Sequence, residues 1–158
     1  MKKDFKIISL KKEFYAKYPK EKYSEMLTKE ERPYNCIMTK SEKGYYICIP
    51  YRSYINHRLS FRFKNKYGKY RPGLDFTKII ILNDLHFVSD EDVFIDDDQY
   101  KETCIHINRI YNDVCKYIED YRLHMLGLKR VKKEVFNRKY QFSTLQYFHS
   151  ELSIVKTI

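Results

Sequence analysis

Residues 97–126 carry the pattern that most limits how this chain can fold. Apolar and aromatic side chains recur there at steps of four and three residues, the spacing of one face of an α-helix. The eight positions of this stripe are Tyr100, Cys104, Ile107, Tyr111, Val114, Ile118, Tyr121 and Met125. Asp96, Asp97 and Asp98 stand at its start, where carboxylates meet the positive end of a helix dipole, and Gly127 follows its end. The pattern therefore predicts one long helix over residues 97–126.

The region before this helix has the shorter period of β-strands. Runs rich in β-branched and aromatic residues lie at 5–10, 34–39, 45–51, 59–67 and 77–84. The second and third runs flank a short turn and predict a hairpin. Pro50 should end or bulge the second hairpin strand because proline has no N–H to donate. The fourth run alternates apolar and basic residues, which predicts a half-buried strand with a cationic face. The uninterrupted apolar run of the fifth predicts a central strand.

Together these elements predict an α+β protein, in which the long helix packs across a curled, mainly antiparallel sheet. Shorter helices are expected at 11–18, 128–136 and 143–154. A chain of 158 residues suits a single domain, here residues 1–158. No span approaches the roughly 20 apolar residues of a membrane helix, and no signal-peptide pattern is present. A cytoplasmic protein is the resulting expectation.

Charge is distributed unevenly along the chain. Residues 1–70 hold 18 basic and 7 acidic residues, residues 71–100 hold 2 and 8, and residues 101–158 hold 11 and 6. Within the first part, residues 43–74 contain eight Lys or Arg, six Tyr and no Asp or Glu. Such a surface attracts a polyanion, for which nucleic acid is the first candidate. An anionic membrane is the second, because the cations lie on predicted strands and not on an amphipathic helix.

The densest set of chemically useful side chains in this acid-free stretch is YRSYINHR, residues 51–58. Arginine is a fork-shaped donor that matches phosphate oxygens, and His57 can carry a proton near neutral pH. Cleavage of RNA without a metal needs a base for the 2′-OH, cations for the phosphorane and a proton donor for the leaving oxygen. A solvated basic loop with a structural histidine is the alternative. The tyrosines can stack on unpaired bases or fill a core.

Patterns for other chemistries are weak. The four cysteines lie 11 or more residues apart without a CxxC pair, which favours reduced, mostly buried thiols over a zinc site. The acidic run DEDVFIDDD lacks the Gly and the terminal Glu of a calcium loop. Gly-rich phosphate loops, GxSxG and HExxH are missing from the sequence. The sequence predicts no metal and no cofactor.

Three segments, IPYRSYINH, GLDFTKIIILND and RKYQFSTLQYFHSEL, resemble in type and order those of the ToxN-like endoribonucleases, the toxins of bacterial type III toxin–antitoxin systems, especially the TenpN and CptN branch. The resemblance implies a fold similar to the MazF and Kid toxins, with a compact, barrel-like antiparallel sheet. It implies metal-independent cleavage of cellular or phage mRNA to 2′,3′-cyclic phosphate and 5′-hydroxyl ends. The implied partner is a repetitive pseudoknotted RNA antitoxin, which the bacterial toxin processes and which inhibits it in a closed ring-like protein–RNA assembly. Such systems can act in phage defence by abortive infection.

The resemblance also suggests roles for single residues. Ser53 matches a serine expected to contact the scissile phosphate or the 2′-OH, Arg32 aligns with an active-site lysine, and Arg52 stands where some relatives have threonine. Other relatives place a lysine near the position of His57, which is the best candidate for the proton carrier. The predicted catalytic residues are Arg32, Arg52, Ser53 and His57. The predicted RNA-binding residues are Tyr51, Asn56, Arg58, Arg62, Lys64, Lys66, Lys69, Lys139, Ser143 and Thr144, of which the last two contact RNA or cap a helix.

Two alternatives stay open at this stage. Basic strands with exposed tyrosines suffice for a non-catalytic RNA-binding module. A DNA-directed or metal-dependent nuclease would need clustered carboxylates near the basic face, whereas the acids concentrate at 75–98.

Overall fold

The computed structural model describes residues 1–27, 34–64 and 70–155. The strands are β1 (Lys6–Ile8), β2 (Cys36–Lys40), β3 (Tyr46–Arg52), β4 (Ser60–Arg62), β5 (Gly73–Asp75) and β6 (Ile80–Leu82). The α-helices are α1 (Lys12–Lys17), α2 (Asp97–Met125) and α3 (Lys133–Tyr140), and 3₁₀-helices lie at Phe76–Lys78 and Thr144–Tyr147. The predicted α+β class, with one long helix and an antiparallel sheet, is confirmed.

The strands form one open sheet. They run in the order β1-β2-β3-β5-β4, with β6 paired to β3 beside β5, and every pair is antiparallel. Within the described residues the sheet does not close on itself, so the barrel that the resemblance implies is not seen there. The prediction that the run 77–84 is a central strand is wrong, because β6 pairs with β3 alone among the described strands. Its three residues are nevertheless buried.

The long strand β3 changes partner along its length. Its first half pairs with β6 and its end pairs with β5, and the 3₁₀-helix Phe76–Lys78 separates these two partners. The N–H of Tyr51 points towards β2 and donates to the carbonyl of Asn35 at 2.8 Å. Backbone groups alternate in direction along a strand, so the nitrogen of residue 50 points to the opposite side, into the gap between β6 and β5. Pro50 therefore does not end the strand as predicted. Its missing N–H falls where the ladder is already broken, and β3 continues to Arg52.

Helix α2 packs its apolar stripe against the sheet. Its buried residues are Thr103, Ile107, Ile110, Val114, Tyr117, Ile118 and Tyr121. The side chain of Asp96 accepts a hydrogen bond from the N–H of Gln99 at the start, and Gly127 takes a positive φ of 74° just after the end. The predicted helix is confirmed, although Tyr100 and Met125 at the ends of the stripe are exposed. No helix in the described ranges is both long and apolar enough to cross a membrane.

The C-terminal region has less helix than predicted. Helix α3 begins at Lys133 instead of residue 128 and extends to Tyr140. The helix predicted at 143–154 is a single 3₁₀ turn, Thr144–Tyr147, followed by further turns. The apolar side chains of this segment, Leu145, Phe148, Leu152 and Ile154, still pack into the same buried cluster as the sheet and α2.

Candidate functional site

Asp75 is the first acidic residue after the acid-free stretch, and it is fully buried, with 0% of its surface exposed. It is the last residue of β5 and the N-cap of the following 3₁₀-helix. Its Oδ1 accepts hydrogen bonds from the backbone N–H of Thr77 at 2.9 Å and from the Thr77 hydroxyl at 2.6 Å. A carboxylate in such a position is stable only if charged or polar partners replace the water it has lost.

Two basic side chains supply the remaining partners. Arg52 Nη1 donates to Asp75 Oδ2 at 2.8 Å, and His57 Nε2 lies 3.1 Å from Asp75 Oδ1. The exposed fractions of the Arg52 and His57 side chains are 30% and 31%. Each of them therefore holds the buried carboxylate with one edge and keeps another edge open to solvent. Arg52 comes from the end of β3, and His57 comes from the loop before β4.

Both ring nitrogens of His57 are engaged. Nδ1 accepts a hydrogen bond from the backbone N–H of Leu59 at 3.2 Å. A nitrogen that accepts carries no proton, so the proton of the neutral ring is on Nε2 and points to Asp75. In this arrangement the ring can exchange a proton with a ligand only after one of the two contacts opens. The predicted role of His57 as proton carrier stays a prediction, and the observed geometry holds the ring in one orientation and one tautomer.

An open pocket of about 500 Å³ adjoins His57. Its lining residues are His57, Arg58, Ser60, Arg62, Phe63 and Arg71. Arg62 Nη2 and Ser60 Oγ each donate to the His57 carbonyl at 3.3 Å, which anchors two walls of the pocket to the same loop. Arg58 and Arg71 are exposed, and neither guanidinium bonds to another residue in the described ranges. Three guanidiniums and one imidazole suit an anion with several oxygens, such as a phosphate.

Other predicted residues lie around this pocket. Ser53 is exposed directly after Arg52, and its carbonyl accepts a hydrogen bond from the Arg71 N–H at 3.1 Å. Asn56 is also exposed, one residue before His57. Lys64 is exposed after β4, where its backbone N–H bonds to the Glu102 carboxylate at 3.2 Å. Three further predicted residues, Arg32, Lys66 and Lys69, lie outside the described residues.

Tyr51 is half-buried and packs against the core. Its hydroxyl is 3.0 Å from the Thr103 hydroxyl of α2, and its ring stacks on Phe63 at 5.8 Å between centroids. Burial raises the pKa of the Tyr51 hydroxyl, and the hydrogen bond with Thr103 offsets only part of this effect. In this structure the side chain links β3 to α2, and a contact of Tyr51 with RNA stays a prediction.

Ser143 and Thr144 are fully buried, so the prediction that they contact RNA is wrong for this conformation. Ser143 Oγ accepts a hydrogen bond from the Leu145 N–H and caps the second 3₁₀-helix, which confirms the capping alternative. The Thr144 hydroxyl donates to the carbonyl of Ile79, beside β6. Thr144 therefore fastens the C-terminal segment to the sheet, whereas Ser143 stabilises the local turn.

Lys139 lies in a second group of cations, on the outer side of α2 and α3. It is 3.8 Å from the carboxylate of Asp120, which also contacts Lys116 at 3.0 Å and Lys129 at 2.9 Å. Partial burial of Asp120 raises its pKa, but the hydrogen bonds from Lys129 and Lys116 outweigh burial, and the net pKa lies below the ordinary value of 3.8. The charge of Lys139 is thus shared with a carboxylate other than that of Asp75.

Sequence reasoning missed Asp75, Thr77, Ser60 and Arg71. A weak signal for Asp75 exists, because Asp is among the residues preferred at the N-cap of a helix. Arg71 stands inside the acid-free stretch, but the proline and glycine after it suggest only a loop. No sequence signal shows that the loop folds back so that Arg71 faces the strand end at Ser53.

Within the described residues, no group of three or more His, Cys, Asp or Glu side chains is placed to hold a metal ion. Compared with protein-family models, with curated proteins and with solved structures, the chain has no match. The resemblance to the ToxN-like toxins accordingly rests on the three sequence segments alone.

Proposed function

We propose that this protein is a metal-independent endoribonuclease that acts as the toxin of a type III toxin–antitoxin system. One observation carries the nuclease part of the proposal. The buried carboxylate of Asp75 binds both Arg52 and His57, and His57 lines a pocket that Arg58, Arg62 and Arg71 also line. Cations gathered around an open pocket can supply the electrostatic stabilisation that a transferring phosphoryl group requires.

In the proposed reaction one bond forms, one bond breaks and two protons are transferred. The 2′-oxygen attacks the adjacent phosphorus while the bond from phosphorus to the 5′-oxygen breaks, giving a 2′,3′-cyclic phosphate and a 5′-hydroxyl. One proton leaves the 2′-OH and one is added to the 5′-oxygen. Arg52 would stabilise the charge on the phosphorane with the guanidinium edge that Asp75 leaves open, and Ser53 would orient the phosphate. His57 would transfer a proton after its contact with Leu59 or Asp75 opens.

The biological setting is proposed from the sequence resemblance. The substrate would be cellular or phage mRNA, and the inhibitor a repetitive small RNA that the protein cuts from its own transcript and with which it forms a ring-like assembly. A likeness in fold to the MazF and Kid toxins is part of the same proposal. Short direct repeats followed by a terminator, in the DNA just upstream of the coding sequence, would support this setting, and their absence would count against it.

The nuclease proposal is tested by incubating purified protein with end-labelled RNA in excess EDTA. We expect cleavage that continues in EDTA and leaves 2′,3′-cyclic phosphate and 5′-hydroxyl ends. A requirement for magnesium, or 5′-phosphate ends, would contradict the proposal.

A second candidate is a non-catalytic RNA-binding module, and the geometry of His57 favours it. Because both ring nitrogens are already bonded, no imidazole nitrogen in the pocket is free to accept or donate a proton to a ligand. In the same EDTA experiment this candidate predicts intact RNA bound to the protein, so a gel that shows binding without cleavage decides in its favour.

A further inference from the structure

Tyr54 is an exposed aromatic residue whose bridge partner, Arg71, lines the cationic pocket. Its side chain is 51% exposed, although tyrosine rings usually cover apolar surface. It stacks on no other ring among the described residues. By contrast, Tyr51, three residues earlier on the same segment, is half-buried and contacts Thr103 and Phe63. Packing therefore explains Tyr51 but gives no reason for an aromatic residue at position 54.

The backbone places Tyr54 next to Arg71. The two residues form a β-bridge, in which the Arg71 N–H donates to the Ser53 carbonyl at 3.1 Å and the Ile55 N–H donates to the Arg71 carbonyl at 2.9 Å. Bridge partners lie roughly 5 Å apart. Ile55 is 1% exposed and anchors this segment in the interior. The Tyr54 ring and the Arg71 guanidinium thus belong to one patch of surface, and Arg71 also lines the pocket.

A cation and an exposed aromatic ring side by side can bind the phosphate and the base of one nucleotide. The guanidinium can bind a phosphate through paired N–H donors, and the ring can stack on the attached base. The base can reach the ring only if it is not paired within a duplex. We propose that Tyr54 and Arg71 form a subsite for one unpaired nucleotide next to the cationic pocket. This inference rests on the proposed function in so far as that pocket takes RNA.

We expect this subsite to hold an RNA strand in position without selecting a particular base. Every nucleobase offers a π-face, so stacking on Tyr54 tolerates all four bases, and the guanidinium of Arg71 contacts a group that all nucleotides share. The expected consequence is a preference for single-stranded over double-stranded RNA of the same sequence, with little preference for base identity at this position.

The test measures binding without cleavage. The probe is a short single-stranded 2′-O-methyl oligonucleotide containing 2-aminopurine, which has no free 2′-OH to attack its phosphates. Fluorescence anisotropy gives the affinity, and quenching of the 2-aminopurine reports stacking. Tyr54→Ala should weaken binding about tenfold and reduce the quenching, whereas Tyr54→Phe should stay within about twofold of the wild type because the ring is kept. The matched control is Tyr100→Ala, since Tyr100 is 46% exposed but lies beside Phe5, near β1.

The outcomes separate this inference from the proposed function. Equal binding by the wild type, Tyr54→Ala and Tyr100→Ala overturns the subsite, and so does equal affinity for a duplex probe or failure of the wild type to bind. A protein that binds through Tyr54 but leaves RNA intact in EDTA keeps the subsite and loses the proposed catalysis. A protein that cuts RNA while Tyr54→Ala binds normally keeps the catalysis and loses the subsite.

Discussion

Two carboxylates in this protein each gather several cations, and they do so in different ways. Asp75 is completely buried and binds Arg52 and His57, which come from a strand end and a loop. Asp120 has 16% of its side chain exposed on a helix, and its partners include Lys116, whose side chain is 72% exposed. Around Asp75 the cations have rigid planar groups, whereas around Asp120 they are ammonium groups on flexible stems.

The difference shows what makes a basic surface a candidate site. The lysines near Asp120 share one carboxylate and are exposed to solvent, so they form an ion-pair network of small energetic value. Asp75 pairs with Arg52 and contacts His57, while the guanidiniums of Arg58 and Arg71 stay without an ion-pair partner among the described residues. Near Asp75 two guanidiniums are thus left open to a ligand, whereas near Asp120 the three lysines share one carboxylate.

The largest expected effect comes from removing the buried charge. Asp75→Asn keeps the shape of the side chain, but its amide N–H group would face donors of Arg52 or His57, so two donors would meet in the interior. We expect the free energy of unfolding to fall by about 3 kcal/mol. Denaturant titration measures this change. The matched control, Asp120→Asn, should cost about 1 kcal/mol or less, and equal losses in the two variants would remove the distinction between the two carboxylates.

A second prediction concerns the cations. The double variant Arg58→Gln/Arg71→Gln should weaken single-stranded RNA binding at least about tenfold and lower the slope of log affinity against log salt by about two, because two phosphate contacts are lost. The control Lys129→Gln/Lys139→Gln removes the same net charge near Asp120 and should change affinity by about twofold or less. Filter binding at several salt concentrations measures both. If the two double variants weaken binding equally, net charge alone attracts the RNA and the pocket has no special role.

The smallest expected effect is the pH dependence of the Asp120 network. The pKa of Asp120 in the folded protein is lower than the ordinary 3.8, so its ion pairs stabilise the fold above that pH and this contribution is lost as the pH falls through the folded-state pKa. We expect the wild type to be more stable than Asp120→Asn by up to about 1 kcal/mol near neutral pH, with the difference shrinking below pH 3.8. Denaturant titrations at several pH values measure it. A difference that grows on acidification would contradict the lowered pKa.

The sequence predicts the elements of this fold better than it predicts the site. The stripe on α2 and the β2–β3 hairpin follow from local periodicity, and both are confirmed. The short 3₁₀-helix after Asp75 has no periodic signal, yet it splits the partners of β3 and buries the carboxylate that fixes Arg52 and His57. Arg52, His57, Arg58 and Arg62 were found because acid-free basic composition is visible in a sequence. Asp75 was missed because burial beneath those cations depends on tertiary pairing.

One comparison of rates in EDTA tests most directly whether the basic residues bound to Asp75 take part in cleavage of RNA. Arg52→Gln removes the guanidinium while its amide can still donate to Asp75, and Arg138→Gln makes the same substitution at an exposed arginine of α3. With both variants shown to be folded by circular dichroism, we predict that Arg52→Gln cleaves RNA at least about 100-fold more slowly than the wild type. Arg138→Gln should cleave within about twofold of the wild-type rate. Equal rates for the wild type and Arg52→Gln would contradict the account.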